Sequence, residues 1–519
     1  MAIASPSAPN FCCTTRSEST HRRLWSQQVS SRAGSKRVSI RPGISSRLNA
    51  SSDGELVYEL NYNSQRRRRG AFPVYVTLPA DAVGPTAQTM SRKRAMAQSF
   101  RALAAAGVEG VVMEVWWGLV EREFPRSYNW RGYLEIVEMA KRFGLKVRAV
   151  MAFHQFGSGS DDPFWIPLPL WVLEEMDKDP DVSYADRFGR RNMEYISLGC
   201  DVLPILHGRS PIQAYSDLMR NFRDTFRPFL GGIITGIQVG LGPGGELRYP
   251  SCPTHKLTWA WRTLELGEFQ CYDKYMLASL NKCAHEIGMR EWLNVGPIAT
   301  TTSPMQNPEN TPDGEFFLGW YSRMLLLHGE RICREAETIF RGKKVNMSGK
   351  LGGAHPLTSG YYSTAARDGY TPIIRMFGRY GFTVCCACFE MQDSDKRRIN
   401  PSSRPEGLVE QIVLAARICD VPLEGENGST NLDGGSFEQV VKMSKFYSDG
   451  LDNPSFSFNF VRMDRNLFES RNWASFTKFV RQISTISMFG AGSDFNGGGN
   501  MSSSPSATAA FAGAVLAAH

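Results

Sequence analysis

The chain has 519 residues, 42% of them hydrophobic, with a formal net charge of +8 at pH 7. Residues 1–50 hold eight Lys/Arg against the single acid Glu18, so they carry +7 of that charge; the nearly neutral remainder offers no basic surface for nucleic acid. The 11 cysteines are odd in number and irregular in spacing, which excludes a disulfide framework, and no apolar run reaches the ~18 residues of a membrane span.

Residues 1–50 contain 11 Ser, and an Arg- and Ser-rich, acid-poor N-terminus has the composition of an organelle transit peptide. It reads as a plastid import signal without fixed structure. Residues 51–70, ending in the basic run Arg66–Arg69, read as a solvated linker, with a nuclear signal as the alternative for the run. From residue 71 onward apolar runs alternate with helical patterns. The predicted strands are Phe72–Leu78, Gly110–Trp117, Leu145–Phe153, Gly232–Gly240, Trp292–Ile298, Lys344–Ser348, Thr383–Phe389 and Val421–Glu424. Between them the 3.6-residue period predicts helices over Arg92–Ala106, Tyr133–Phe143, part of Ile212–Phe229, Phe316–Phe340 and Glu406–Cys419. Repeated alternation implies parallel βαβ units. About eight units in ~420 residues suit a single TIM-type (β/α)8 barrel with long active-site loops, here over residues 71–490. Residues 491–519, Gly/Ser-rich and then apolar from Ala507 to Ala518, read as a disordered tail.

Several motifs carry no chemistry. Cys385, Cys386 and Cys388 lie in an apolar strand-like run whose alternation puts Cys385 on the face opposite the other two, poor geometry for zinc. Gly240-x-Gly242-x-x-Gly245 satisfies the dinucleotide pattern formally, but Pro243 and the following Leu-Arg-Tyr-Pro do not open an apolar helix. No Gly-x-Ser-x-Gly elbow or His-Glu-x-x-His pair occurs. Two carboxylates stand near the ends of predicted strands. Glu246 sits just past a predicted strand, at the barrel end where chemistry is done, and Glu426 in Glu424-Gly425-Glu426-Asn427 follows another strand-like run.

The string Gly240-Leu241-Gly242-Pro243-Gly244-Gly245-Glu246-Leu247-Arg248-Tyr249-Pro250-Ser251 closely resembles the general-acid signature of plant β-amylases, inverting enzymes that release maltose from the non-reducing ends of starch chains. The resemblance runs from about Phe72 to Gly490, through Val115-Trp116-Trp117-Gly118, Phe153-His154-Gln155, His207-Gly208-Arg209, Gly267 to Tyr275 and Gly360-Tyr361-Tyr362. It implies Glu246 as general acid and Glu426 as general base, with carboxyls roughly 6.5–9.5 Å apart; a retaining enzyme would have them near 5 Å. It implies substrate contacts from Glu114, His154, Asp162, Lys350, His355, Ala387, Asn427 and Arg462, no metal and no cofactor. The implied partner is an α-1,4-glucan (starch or maltodextrin) in the chloroplast or plastid stroma.

Departures from that pattern collect at the site. Glu114 stands where the family has Asp, one methylene shorter. The lid His154-Gln155-Phe156-Gly157-Ser158-Gly159-Ser160-Asp161-Asp162 lacks the family's Asn and Val. Ala387 replaces a Thr, Pro356-Leu357 replace a tandem Trp, and Gly428-Ser429 replace Ala-Leu. The chain thus resembles plastid members of the family with low or no activity. Two readings follow: a weak β-amylase, and an inactive homologue that binds glucan or another starch-degrading enzyme and regulates starch breakdown.

Overall fold

Short runs of β-branched and aromatic residues become strands buried on both faces, as a parallel sheet wrapped by helices requires. The structure is a computed structural model that describes residues 72–157, 164–186, 188–248, 251–252, 268–288, 312–352, 370–393, 405–428, 432–451 and 454–485. In chain order the strands are β1 (Val74–Thr77), β2 (Gly110–Trp116), β3 (Lys146–Ala152), β4 (Ser183–Ala185), β5 (Arg191–Ile196), β6 (Ile234–Val239), β7 (Glu246–Leu247), β8 (Ser251–Cys252), β9 (Glu268–Phe269), β10 (Asn346–Leu351), β11 (Phe382–Cys386), β12 (Leu423–Glu426) and β13 (Phe456–Phe460). Parallel pairings run β1–β2–β3–β6–β10–β11–β12–β13 and back to β1, closing an eight-stranded barrel. Strands β4 and β5 form an antiparallel hairpin outside the ring, and β7 adds to β10.

Helices cover the ring, among them Lys93–Ala105, Arg131–Arg142, Pro211–Thr225, Pro312–Phe340, Pro405–Ile418, Gly434–Ser448 and Ser470–Thr485. Pro211–Thr225 shows how the sequence starts one. Ser210 and Gln213 make a reciprocal capping box, and Pro211 fills the first helical position, where its missing N–H costs nothing. Ala214, Tyr215, Leu218, Met219 and Phe222 then form the stripe that packs inward.

The predicted strand Trp292–Ile298 lies outside the described residues. The fifth strand of the ring is β10, which runs past the predicted end at Ser348 to include Lys350. The eighth is β13, which the sequence reading does not count as a strand. Its Ser457 and Asn459 both bond Arg148, whose side chain is itself buried. The Arg148 guanidinium donates from Nη1 to Asn459 Oδ1 (2.9 Å) and from Nη2 to Ser457 Oγ (3.0 Å). It also pairs with Glu424 Oε1 at 3.1 Å and lies 3.8 Å over the Tyr75 ring. Burial pushes the Glu424 carboxyl up, and the guanidinium pulls it back. The cysteine alternation holds in β11: Cys385 Sγ reaches Glu426 Oε2 at 3.7 Å, while Cys386 packs in the hydrophobic layer. The eight cysteines among the described residues are free thiols.

Breaking a buried ion pair strands the surviving charge, so Arg148→Met should cost about 3–5 kcal/mol. Replacing Glu424 by Met as well should restore much of that loss. Urea unfolding of the two variants beside the wild type checks both expectations.

Candidate active site

The C-terminal ends of the barrel strands bring the site together. After β6 the chain makes a single 3-10 turn, Pro243–Gly245, and enters β7 at Glu246; no helix opens there, so the dinucleotide pattern has no structural counterpart. Gly245 has φ 74°, a left-handed conformation that favours glycine, and a Cβ on it would crowd His154 Cε1 at 3.1 Å. The β7–β10 register sets Glu246 beside Lys350. Glu426 is the last residue of β12, buried, with its carbonyl accepting from Phe389 N at 2.9 Å.

Lys350 joins the two carboxylates. Its Nζ contacts Glu426 Oε1 and lies 3.6 Å from Glu246 Oε1. Burial works against the ammonium, but the Glu426 and Glu246 carboxylates outweigh it and hold Lys350 well above the ordinary lysine range. Since charged contacts run about 2.7–2.9 Å, the facing oxygens lie no more than about 6.5 Å apart. Arg248 flanks Glu246 from the other side, with Nε 3.4 Å from Oε2. A Cβ on Gly352 would come within 2.7 Å of that same Oε2.

A cavity of about 880 Å³ opens here, bounded by Glu114, Trp116, His154, Lys350, Glu426 and Arg462 among others. Six of the expected residues thus converge: these minus Trp116, together with Glu246 behind Lys350 and Arg248. Their local roles differ from a set of free sugar contacts. Arg462 grips both oxygens of Glu114, at 2.7 and 3.1 Å, and bonds the Leu78 carbonyl at 3.0 Å. Asn427 accepts from Val461 N at 2.7 Å and donates to Val461 O, tying the end of β12 to the end of β13. Ala387 is buried and is not among the residues that line the cavity. His154 lies two residues past β3 rather than at its end, and Lys350 lies inside β10 rather than after a strand. Asp162 and His355 lie outside the described residues, as does most of the lid.

Sequence reasoning gave no role to Arg248, Glu194, Gln238 or Gln270, and none to Trp116 beyond its motif. Gln238 had a signal: an amide inside the apolar run that becomes β6. Among the described residues, Trp116 Nε1, His154 Nδ1, Gln238 Nε2 and Gln270 Oε1 are buried without a hydrogen-bond partner, and all four side chains line the cavity. Buried orphans are costly, so a cluster of them around one space fits a ligand rich in hydroxyls. Burial first, then the Lys350 and Arg248 charges, push the His154 imidazole down to about 3, so it stays neutral. No group of three or more His, Cys, Asp or Glu among the described residues is arranged to hold a metal ion.

Two glutamates at the mouth of a (β/α)8 barrel, held across one ammonium beside a polar cavity, define the class: a barrel with the acid–base layout of a glycoside hydrolase. The family model for glycosyl hydrolase family 14 matches residues 75–488, and the chain belongs to that family. It is 46% identical over 441 residues to Beta-amylase 1, chloroplastic, of Arabidopsis thaliana, covering 80% of this chain and 76% of that one. It is 45% identical over 440 residues to Beta-amylase 2, chloroplastic, of Oryza sativa subsp. japonica (81% and 78%), and 36% identical over 434 residues to the Beta-amylase of Glycine max (79% and 86%). The catalytic domain of the beta-amylase from Paenibacillus polymyxa superposes with a TM-score of 0.63 at 23% identity, over 80% of this chain and 99% of that one, a likeness of fold.

Because His154 is depressed in the folded state to about 3, the unfolded chain binds a proton that the folded chain refuses between that value and ~6.5. The stability tied to this group is complete above pH 6.5 and is lost as pH falls toward 3. Urea midpoints measured from pH 7 to pH 4 should therefore fall more steeply for the wild type than for His154→Gln.

Proposed function

We propose that the chain hydrolyses α-1,4-glucosidic bonds from the non-reducing ends of starch or maltodextrin, releasing maltose with inversion, at a rate below that of a typical β-amylase. The observation that carries this reading is the pair Glu246 and Glu426 at the barrel mouth with Lys350 between them. Glu246, protonated, gives its proton to the glycosidic oxygen as the bond to the anomeric carbon breaks. Glu426, ionised, takes a proton from a water whose oxygen attacks that carbon from the opposite face. The two carboxyls end with exchanged protonation and reset through solvent. The reaction needs no cofactor. Family membership supports the substrate class, since the relatives are named β-amylases. The names "chloroplastic" on two of them, with the Ser/Arg-rich residues 1–50, support import into the plastid stroma.

The low rate rests on the positioning groups. Glu114 is engaged by Arg462 through both oxygens, and Ala387 supplies a methyl where a hydroxyl would bond the transition state. A lost bond of that kind costs on the order of 10²–10³ in rate. The same two observations favour a second reading, an inactive homologue that binds glucan or a partner enzyme of starch breakdown.

Purified mature chain should release maltose from soluble starch slowly. Glu246→Gln should abolish the release, and Ala387→Thr with Glu114→Asp should raise it. If wild type and Glu246→Gln are equally silent while glucan still binds, the second reading replaces the first. Gly352→Ala should lower both turnover and melting temperature, because the added Cβ would come within 2.7 Å of Glu246 Oε2 and also of Arg248 Cβ, which moves only with its backbone.

A further inference from the structure

We propose that Glu194 is the positioning residue of the acid turn, bracketing Glu246 from the β4–β5 hairpin. Glu194 stands on β5, outside the ring, fifty residues upstream of the turn it holds. Its Oε1 accepts the N–H of Gly244 at 2.9 Å, two residues before Glu246. The same oxygen lies 3.9 Å from Nη2 of Arg248, two residues after Glu246, whose Nε is the one beside the Glu246 carboxylate.

The turn needs such an anchor. Gly244 is left-handed (φ 63°), and the bonds within the turn, Gly245 N to Gly242 O and Leu241 N to Gly245 O, do not use its N–H. Without Glu194 that donor would turn to solvent and free Gly244 and Gly245 to rotate, carrying the Glu246 side chain with them. The Glu194 main chain is fixed in turn. Its N–H donates to Asn192 Oδ1 at 3.0 Å, and its carbonyl accepts from Gln155 N at 2.9 Å, next to His154. One side chain therefore ties the hairpin wall, the start of the lid and the acid turn into a single unit. A general acid displaced by an ångström loses on the order of 10²-fold in rate while ground-state binding changes little.

The consequence for turnover rests on the hydrolase reading; the consequence for the turn does not. The test uses the full mature chain as wild type, Glu194→Ala and Glu194→Gln. Amide hydrogen exchange across residues 240–248 is followed beside kcat and KM on maltoheptaose. Glu194→Ala should exchange at Gly244 at least tenfold faster and lose roughly 10- to 100-fold in kcat, with KM within about twofold. Glu194→Gln, whose amide oxygen can accept the same N–H, should recover most of both. Unchanged exchange in Glu194→Ala overturns the proposal, as does a raised KM at constant kcat or a Gln variant no better than Ala. A wild type without turnover would defeat the hydrolase reading alone, and the exchange comparison would then decide the role of Glu194 by itself.

Discussion

The Lys350 ammonium shared by Glu246 and Glu426 is the contact on which the rest of the site depends. Two carboxylates facing each other across a mostly buried gap repel, and an ammonium there is itself costly to desolvate. Together the three groups balance, and the balance exists only because β10 presents Lys350 in register with Glu246 on β7 while β12 delivers Glu426 from across the mouth. The barrel thus sets the distance between the two carboxyls through its own register. A sugar bound across the pair must take over some of the hydrogen bonds that Lys350 now makes.

Beneath that triad the barrel interior is polar rather than packed with branched side chains. Arg148, Glu424, Ser457, Asn459 and the Tyr75 ring satisfy one another, so strands β1, β3, β12 and β13 are joined through charge as well as through their ladders. Above it, Arg462 and Glu114 fasten the end of β13 to β2, and Asn427 fastens it to β12. The site is therefore stiff on the side where the base sits. On the acid side stiffness depends on a two-residue strand and a glycine turn held from the hairpin. The four orphaned polar atoms belong to side chains that line the cavity, and a ligand rich in hydroxyls would satisfy them where an apolar one would not.

What the sequence made legible was whatever is local. The strand–helix alternation located seven of the eight ring strands, because each is a continuous apolar run. Strand β13 escaped because its inward Ser457 and Asn459 answer to Arg148, more than 300 residues away. The turn around Glu246 was located because its glycines and its carboxylate are contiguous, and Glu426 through the resemblance of Gly425-Glu426-Asn427. Glu194, Arg248 and Gln270 were not readable: their partners are set by register and by hairpin placement, neither of which leaves a mark in composition or spacing. The neutral state of His154 likewise needs burial and two cations brought from β10 and from the turn. The capture of Glu114 by Arg462 is visible only once β2 and β13 stand on either side of β1.

The central claim is that Glu246 and Glu426 act from opposite faces of the glycosidic bond. Proton NMR of the anomeric region during the first minutes of maltoheptaose hydrolysis tests it most directly, before mutarotation mixes the products. The account predicts that β-maltose appears first; α-maltose as the first product would contradict it.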